Sequence, residues 1–213
     1  MKTKIIIIRH GESEGNAKGF YLGHTNLGLS PLGHRQAMAT AQHLADVNID
    51  AIYSSDLMRA HQTAEPHAKI RNLPIIDLKD LREINIGEWE GMAISDLTKY
   101  HYEEFVIGWK ENFGTFRFPG GESVLEAAER FYNAVFEIAK SNPGKTVLIT
   151  AHAAVIRAFW CVVLKFSPSE MATAIPFPSN ASYSVLEFDG KSFAPIEYSN
   201  DEHLKESCMR TQL

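Results

Sequence analysis

The sequence has few cysteines and no long apolar run. Cys161 and Cys208 are its only cysteines, and their spacing suits neither a disulfide framework nor a metal knuckle. The longest apolar run, 158–164, is far below the ~20 residues that span a bilayer. The isoleucines before Arg9 are too few for a signal peptide. We therefore expect a protein of the reducing cytoplasm that does not enter a membrane.

Basic residues are also scarce. The chain has 21 basic and 26 acidic residues and a formal net charge of −5. This balance argues against a general nucleic-acid or anionic-membrane binder, although it permits a local basic pocket. The composition is otherwise that of an ordinary globular chain, except for nine histidines. Histidine titrates near neutral pH and binds metals, so these residues call for an explanation.

Short β-branched runs alternate with helical patterns. The predicted strands are Ile5 to Ile8, Ala51 to Tyr53, Pro74 to Ile76, Thr146 to Thr150, and an edge hairpin of Tyr183 to Phe188 with Phe193 to Ile196. Three helices are predicted from their N-terminal caps, which are Ser30 before Pro31, Asp56 for a helix to about 70, and Ser123 in a capping box with Glu126 for a helix to about 140. A buried helix is predicted over 153–164. This order predicts an α/β domain with a largely parallel sheet.

One stretch breaks the alternation. Residues 91–121 are predicted to form an inserted helical subdomain within a single domain, 1–213. The insertion carries Trp109, Phe113, Phe116 and Phe118, which either form its own small core or line a substrate pocket. Spacing leaves both interpretations open and favours the small core.

Two predicted strands end in a histidine. His10 follows the first strand directly after Arg9, and His152 follows the fourth. Ligands bind at the carboxyl ends of parallel strands, so these side chains are expected to face one pocket. Arg59 lies in the first turn of a helix that follows another strand, beside the positive end of the helix dipole. Such crowding of positive charge is unfavourable unless an anion binds there. The sequence therefore predicts a phosphate pocket.

A neutral imidazole in such a pocket can attack phosphorus and carry the phosphoryl group. The arginines would stabilise charge on the transferring group. An acid must protonate the leaving oxygen, and Glu83 is a candidate that composition does not separate from Glu12, Glu88 or Glu90.

Ordered motifs along the chain resemble those of the histidine phosphatase superfamily, which includes phosphoglycerate mutases. The matching blocks are Ile8 to Asn16, Ser30 to Ala37, Tyr53 to Ala64, Leu81 to Gly91, Pro119 to Ser123 and Thr150 to His152. The resemblance implies a three-layer α/β/α sandwich with a mostly parallel mixed sheet and a small helical insertion.

The resemblance also implies roles for individual residues. His10 would be the phosphorylated nucleophile, Arg9, Arg59 and His152 would complete the phosphate pocket, and Glu83 would donate the proton. The expected substrate contacts are Asn16, Leu22, Gly23 and Ala153. No metal and no cofactor are expected, and the partner is a small phosphorylated substrate.

The chain departs from the family pattern near the pocket. Many relatives have an arginine and a polar residue where this chain has Phe20 and Leu22, and glycines where it has Ala153 and Ala154. The long basic segments of mutases are not evident, and the stretch after Glu83 is similar to the phosphatase branch. A metal-independent phosphatase is therefore predicted, ahead of a mutase-type phosphotransferase.

Two alternatives of other classes stay open. A metallohydrolase would use His10, His152 and Glu83 as ligands, although Arg9 and Arg59 would repel a cation. A non-catalytic module that only binds a phosphorylated ligand would be expected to have lost the nucleophile, an arginine or the acid, and this chain retains all of them. The other seven histidines are expected mostly at solvated positions, and Cys161 is expected in the core. A homodimer that pairs through the edge hairpin is a further hypothesis.

Overall fold

The β-branched run near the amino terminus forms the middle of a sheet. In the computed structural model, which describes residues 1–206, strand β1 (Thr3–Arg9) runs parallel to β4 (Thr146–Ala151) and antiparallel to β5 (Tyr183–Phe188). Residues 5–8 are at most 1% exposed, as expected for a strand covered on both faces.

Three further strands complete a six-stranded sheet, β2 (Ala51–Ser55), β3 (Ile75–Leu78) and β6 (Phe193–Asn200). The strand order is β3-β2-β4-β1-β5-β6. The first four strands are mutually parallel, and β5 and β6 form an antiparallel hairpin at one edge. The predicted mostly parallel mixed sheet and its edge hairpin are confirmed.

Helices cover both faces of this sheet. They are α1 (Glu14–Ala17), α2 (Pro31–His43), α3 (Met58–Arg71), α4 (Ile94–Tyr100), α5 (Val124–Ser141), α6 (Ala153–Val163), α7 (Met171–Ala174) and α8 (Glu202–Glu206). Alternate side chains of β1 enter two hydrophobic clusters, Ile5 and Ile7 in the larger and Ile6 and Ile8 in the smaller. A sheet with a core on each face has the predicted three layers.

The helix starts show which capping predictions hold. Ser123 caps α5 in a capping box with Glu126, and Ser30 caps α2, both as predicted. The predicted cap at Asp56 is wrong, because α3 begins without a side-chain cap. The Asp56 carboxylate instead accepts two hydrogen bonds of 2.6 Å from Arg82, and this paired geometry replaces the cap.

The stretch after residue 91 is helical but irregular. It contains α4, a π-helix (Glu103–Glu111) and a short 3₁₀ turn (Phe113–Thr115). Trp109, Phe113 and Phe118 are buried, and Phe116 is half-buried. The description of 91–121 as an inserted subdomain of one domain stays a prediction.

Two histidines expected in solvated positions are buried. His67 on α3 is 0% exposed and His203 on α8 is 7% exposed. Burial lowers the pKa of His67 to about 3 and that of His203 to about 4. Cys161 is buried in the core as predicted, and Cys208 lies outside the described residues. Within residues 1–206, no helix has the length and apolar character needed to cross a bilayer.

Candidate active site

The pairing of β1 with β4 brings the two predicted histidines together. Arg9 lies opposite Ala151 in the register, and the His10 backbone N–H donates to the Ala151 carbonyl at 2.9 Å. The imidazole centroids of His10 and His152 are 5.2 Å apart. The two imidazoles are therefore adjacent, as the strand ends predicted, although His10 lines the cavity described below and His152 does not.

A hydrogen bond fixes which ring nitrogen of neutral His10 carries the proton. Its Nδ1 lies 2.6 Å from the carbonyl oxygen of Gly11, which can only accept, so Nδ1 carries the proton. The lone pair is then on Nε2. Burial, with the charges of Arg59 and Arg9, holds the His10 pKa well below 6.5. His10 therefore has the electronic state of a nitrogen nucleophile at neutral pH.

His152 lies behind His10 and is completely buried. Its Nε2 is 2.8 Å from the hydroxyl of Ser55, at the end of β2. Its Nδ1 is buried and has no hydrogen-bond partner. Burial and the charge of Arg59 lower the His152 pKa well below 6.5, so this ring is also neutral. His152 Nδ1 therefore has hydrogen-bonding capacity that the protein itself does not use.

Two buried guanidinium groups flank the histidines. Arg9 donates from one terminal nitrogen to the Pro178 carbonyl at 2.6 Å, while its buried Nε has no partner. Arg59 donates to the carbonyls of Thr25 (2.9 Å) and Gly23 (2.8 Å). Burial lowers the pKa of each arginine to about 10, against the opposing charge of Glu83. Both groups stay charged at neutral pH and favour an anion between them.

Glu83 is the carboxylate of this pocket and is 8% exposed. Its Oε1 accepts from the backbone N–H groups of Ile84 and Val155, and its Oε2 accepts from that of Ala154, each at 3.0 Å. Two of these donors belong to the first turn of α6, where the helix dipole also attracts negative charge. We refer to Arg9, His10, Arg59, Glu83 and His152 as the polar pocket.

A second ion pair fixes the chain around Glu83. Arg130 on α5 makes two 2.9 Å hydrogen bonds to the carboxylate of Glu122. The same guanidinium donates to the backbone carbonyls of Asp80, Arg82 and Glu83. Spacing could not reveal this support, because Arg130 lies 47 residues after Glu83 in the chain.

The loop 23–25 holds Arg59 from behind, and Glu90 holds the loop. The Glu90 carboxylate accepts from the backbone N–H groups of Gly23, His24 and Thr25 and from the Thr25 hydroxyl. Gly23 is required there, because a Cβ would lie 2.4 Å from Glu90 Oε1. Sequence reasoning named Glu90 only as an alternative acid and missed this contact.

A cavity of about 720 Å³ opens from the polar pocket. Of the predicted substrate contacts, Asn16, Leu22 and Ala153 line the cavity. Gly23 is not on its wall and instead contacts Arg59 through its carbonyl. Asn16 accepts from the backbone N–H and the hydroxyl of Ser13 through its Oδ1.

Part of the wall of this cavity is apolar. We call it the apolar vestibule, and its principal side chains are Phe20, Leu22, Phe105, Trp109, Phe118 and Phe177. Trp109 and Phe118 thus line a pocket and also pack on their neighbours, whereas Phe113 and Phe116 only pack. The two interpretations of the aromatic cluster each describe part of it.

No group of three or more His, Cys, Asp or Glu side chains within residues 1–206 is arranged to hold a metal ion. The His10, His152 and Glu83 set proposed for a metallohydrolase is therefore not a ligand set in this geometry.

Comparison with known proteins gives a family over almost the whole chain. Residues 5–201 match the model of the histidine phosphatase superfamily, branch 1. The chain is 33% identical to phosphoserine phosphatase 1 of Hydrogenobacter thermophilus, over 96% of this chain and 95% of that protein.

Solved structures have the same fold. YhfR of Bacillus stearothermophilus superposes with a TM-score of 0.89 at 27% identity, covering 95% of this chain and 99% of that one. A mycobacterial glucosyl-3-phosphoglycerate phosphatase in complex with VO3 superposes with a TM-score of 0.86 at 27% identity, covering 93% and 99%.

Proposed function

The chain belongs to branch 1 of the histidine phosphatase superfamily, and we propose that it hydrolyses a small phosphomonoester through a phosphohistidine on His10. The observation that carries this proposal is the state of His10. Its imidazole is neutral, its Nδ1 is engaged by the Gly11 carbonyl, and buried arginines lie on either side. The lone pair on Nε2 is thus available where an anionic phosphoryl group is attracted.

In the first step, Nε2 of His10 attacks phosphorus and the ester P–O bond breaks. Arg9, Arg59 and His152 donate to the non-bridging oxygens, which carry the developing charge. The unpaired Arg9 Nε and His152 Nδ1 support this assignment. His152 Nε2 lies 2.8 Å from the Ser55 hydroxyl. In the proposed mechanism this hydroxyl is the donor, so that the proton of His152 is on Nδ1 and can be donated to the phosphate.

Glu83 serves both halves of the reaction. The substrate monoanion passes its proton to the Glu83 carboxylate, which gives it to the leaving oxygen as the ester bond breaks, and the product alcohol departs. The resulting carboxylate is held by the amides of Ile84, Ala154 and Val155. It then takes a proton from the water that attacks the phosphohistidine and returns this proton to the departing phosphate, which restores both His10 and the Glu83 carboxylate.

The substrate is a small phosphorylated metabolite and no cofactor is needed. Phosphoserine and glucosyl-3-phosphoglycerate appear in the names of similar proteins, and both are of this class. Asn16 and Ala153, on the cavity wall, are the proposed contacts near the phosphate, with Leu22 further out. Gly23 acts indirectly, because its carbonyl holds Arg59.

We place the enzyme in the cytoplasm, without nucleic-acid partners, on the net charge of −5 and the two cysteines. A homodimer through the β6 edge stays a prediction. Pro195 and the irregular register between β5 and β6 disfavour an added strand at that edge. Sedimentation at several concentrations tests the dimer.

The experiment for the proposed reaction replaces His10 by alanine and follows both turnover and the intermediate. The wild-type protein, quenched in alkali with a ³²P-labelled phosphomonoester, should retain label on His10, because phosphohistidine survives alkali. His10→Ala should lose this label and at least about 10³-fold in kcat.

The matched control is His61→Asn, at a half-exposed histidine of α3 that pairs with Asp77 outside the cavity. It should keep both label and turnover. Wild-type turnover by His10→Ala would refute the mechanism, and label retained on another residue would move the nucleophile there.

A further inference from the structure

The apolar vestibule lines the same cavity as Arg9, His10, Arg59 and Glu83 of the polar pocket. Phe105, Trp109 and Phe118 are at most 5% exposed, so their rings form a buried wall. When the phosphoryl group occupies the polar pocket, the leaving group of the ester contacts this apolar wall.

Few charges in the cavity remain for the leaving group. Arg9 and Arg59 are committed to the phosphate, and the exposed Lys110 is the other cation lining the cavity within residues 1–206. Among the same described residues, Glu83 is the one carboxylate of the lining, and both its oxygens accept from backbone amides. The cavity thus offers an ammonium group no unengaged carboxylate, and a leaving-group carboxylate finds only an exposed lysine.

The wall is also preformed. The Trp109 ring lies 5.0 Å from Phe113, 4.9 Å from Phe118 and 6.0 Å from Phe177, measured between centroids. Arg157 stacks on Phe113 (4.4 Å) and Phe177 (4.3 Å) from behind the wall. Rings held on several sides lose little freedom when a ligand binds, which favours affinity for an apolar group.

The loop after the first strand adds to this surface. Phe20 and Leu22 place apolar side chains on the cavity wall at the two positions where the sequence departs from the motif. Leu22 is packed so closely on Gly15 that a Cβ there would lie 2.2 Å from Leu22 Cδ1. Both departures make the wall of the cavity more apolar.

We propose that the apolar vestibule binds the leaving group of the substrate, and that this group is an uncharged aromatic or bulky aliphatic alcohol. The preferred substrates are then phosphomonoesters of such alcohols, ahead of phosphoamino acids and phosphoglycerates. This inference rests on the proposed function and specifies its substrate class. The cavity has room for a ring, because about 720 Å³ lies within the range of drug-sized ligand sites.

A series of alkyl phosphates tests the proposal in the wild-type protein. Ethyl, n-butyl and 2-phenylethyl phosphate have alkanol leaving groups of similar basicity, so differences in kcat/KM report contacts of the leaving group. The value for 2-phenylethyl phosphate should exceed that for ethyl phosphate by about tenfold or more. O-phosphoserine and 3-phosphoglycerate should fall below n-butyl phosphate.

Two variants locate the preference. Trp109→Ala should lower kcat/KM for 2-phenylethyl phosphate more than kcat/KM for ethyl phosphate, and so remove most of the advantage of the phenyl group. Phe116→Ala is the matched control, since Phe116 packs on Trp109 and Phe118 without lining the cavity. Phe20→Arg should raise kcat/KM for 3-phosphoglycerate and lower it for 2-phenylethyl phosphate, because it adds a cation to the wall.

The possible results distinguish a failure of the leaving-group proposal from a failure of the proposed phosphatase activity. Equal kcat/KM across the alkyl series, or O-phosphoserine as the best substrate, would overturn the apolar leaving group while turnover confirms a phosphatase. Loss of the phenyl preference in Phe116→Ala as much as in Trp109→Ala would overturn the contact with the vestibule. Absence of turnover and of a phosphoenzyme with every ester would overturn the proposed function itself.

Discussion

The polar pocket and the apolar vestibule share one cavity but are built in different ways. Side chains of the polar pocket follow the ends of sheet strands or begin helices, and hydrogen bonds hold them, as for His10, Arg59 and Glu83. Side chains of the vestibule come mostly from loops and a π-helix, and ring contacts hold them, as for Trp109.

This difference separates two tasks of a phosphatase. Directional donors at fixed positions can stabilise charge that develops on a phosphoryl group, so the polar pocket is suited to the chemical step. Ring contacts are less directional and scale with area, so the vestibule is suited to choosing a leaving group. Substitutions in the two regions should therefore affect different kinetic quantities.

The largest effect should come from removing a buried arginine of the polar pocket. Arg59→Met should lower kcat/KM by about 10³-fold for every phosphomonoester, which corresponds to ~4 kcal/mol of transition-state stabilisation. It should also weaken inhibition by vanadate. Steady-state kinetics on ethyl and 2-phenylethyl phosphate, with vanadate inhibition, measure both changes.

Arg157→Met is the comparison, because Arg157 is equally a buried arginine but lies behind the vestibule. It donates to the carbonyls of Met171, Ala172 and Ile175 and stacks on Phe113 and Phe177. Its loss should cost about 1–3 kcal/mol of unfolding free energy and leave vanadate inhibition in place. An equal loss of vanadate inhibition in both variants would show that the two regions are not separate.

The sequence predicts the polar pocket better than its supports. Strand periodicity places the residues after β1 and β4 at one edge of a parallel sheet, which is why His10 and His152 could be brought together without a structure. The contacts of Gly23, Glu90 and Arg130 join segments far apart in the chain. No local pattern encodes such contacts, so sequence reasoning did not find them.

The vestibule shows the same limit more strongly. The π-helix (Glu103–Glu111) closes its turns with i to i+5 hydrogen bonds, so the spacing of an α-helix assigns the wrong faces to its residues. Trp109 and Phe116 lie in one short stretch, yet only Trp109 lines the cavity. Composition identified an aromatic cluster, but tertiary packing decides which rings meet a ligand.

An intermediate effect should come from the support of Arg59. Glu90→Gln leaves one carbonyl oxygen to accept from the loop 23–25 and turns an NH₂ group towards donors, so the loop should shift and Arg59 with it. We expect kcat/KM to fall by about tenfold, ~1.4 kcal/mol, with weaker vanadate inhibition and a similar loss for all esters.

Glu88→Gln is the control for this change, since Glu88 is exposed two residues away. Kinetics and thermal unfolding should be measured together. A fall in Tm for Glu90→Gln with unchanged vanadate inhibition would show that Glu90 stabilises the fold without positioning Arg59.

The smallest effect is expected on the ionisation of His10, and it tests whether the vestibule influences the chemistry. Burial and the charges of Arg59 and Arg9 lower the His10 pKa, so the ring should stay neutral as the pH falls below 6.5. Because the unfolded chain takes up that proton first, the folded state should lose stability from His10 as the pH falls below 6.5. Trp109→Ala should move the pKa less than Arg59→Met does, because Trp109 carries no charge and can act only through the burial of the ring. Arg59→Met should raise the pKa towards 6.5, because one of the charges that oppose protonation is gone. NMR titration of ¹⁵N-histidine-labelled protein measures the pKa directly.

The His10 pKa could instead move as far in Trp109→Ala as in Arg59→Met. That result would mean that the wall influences the ionisation of the nucleophile as strongly as the arginine does.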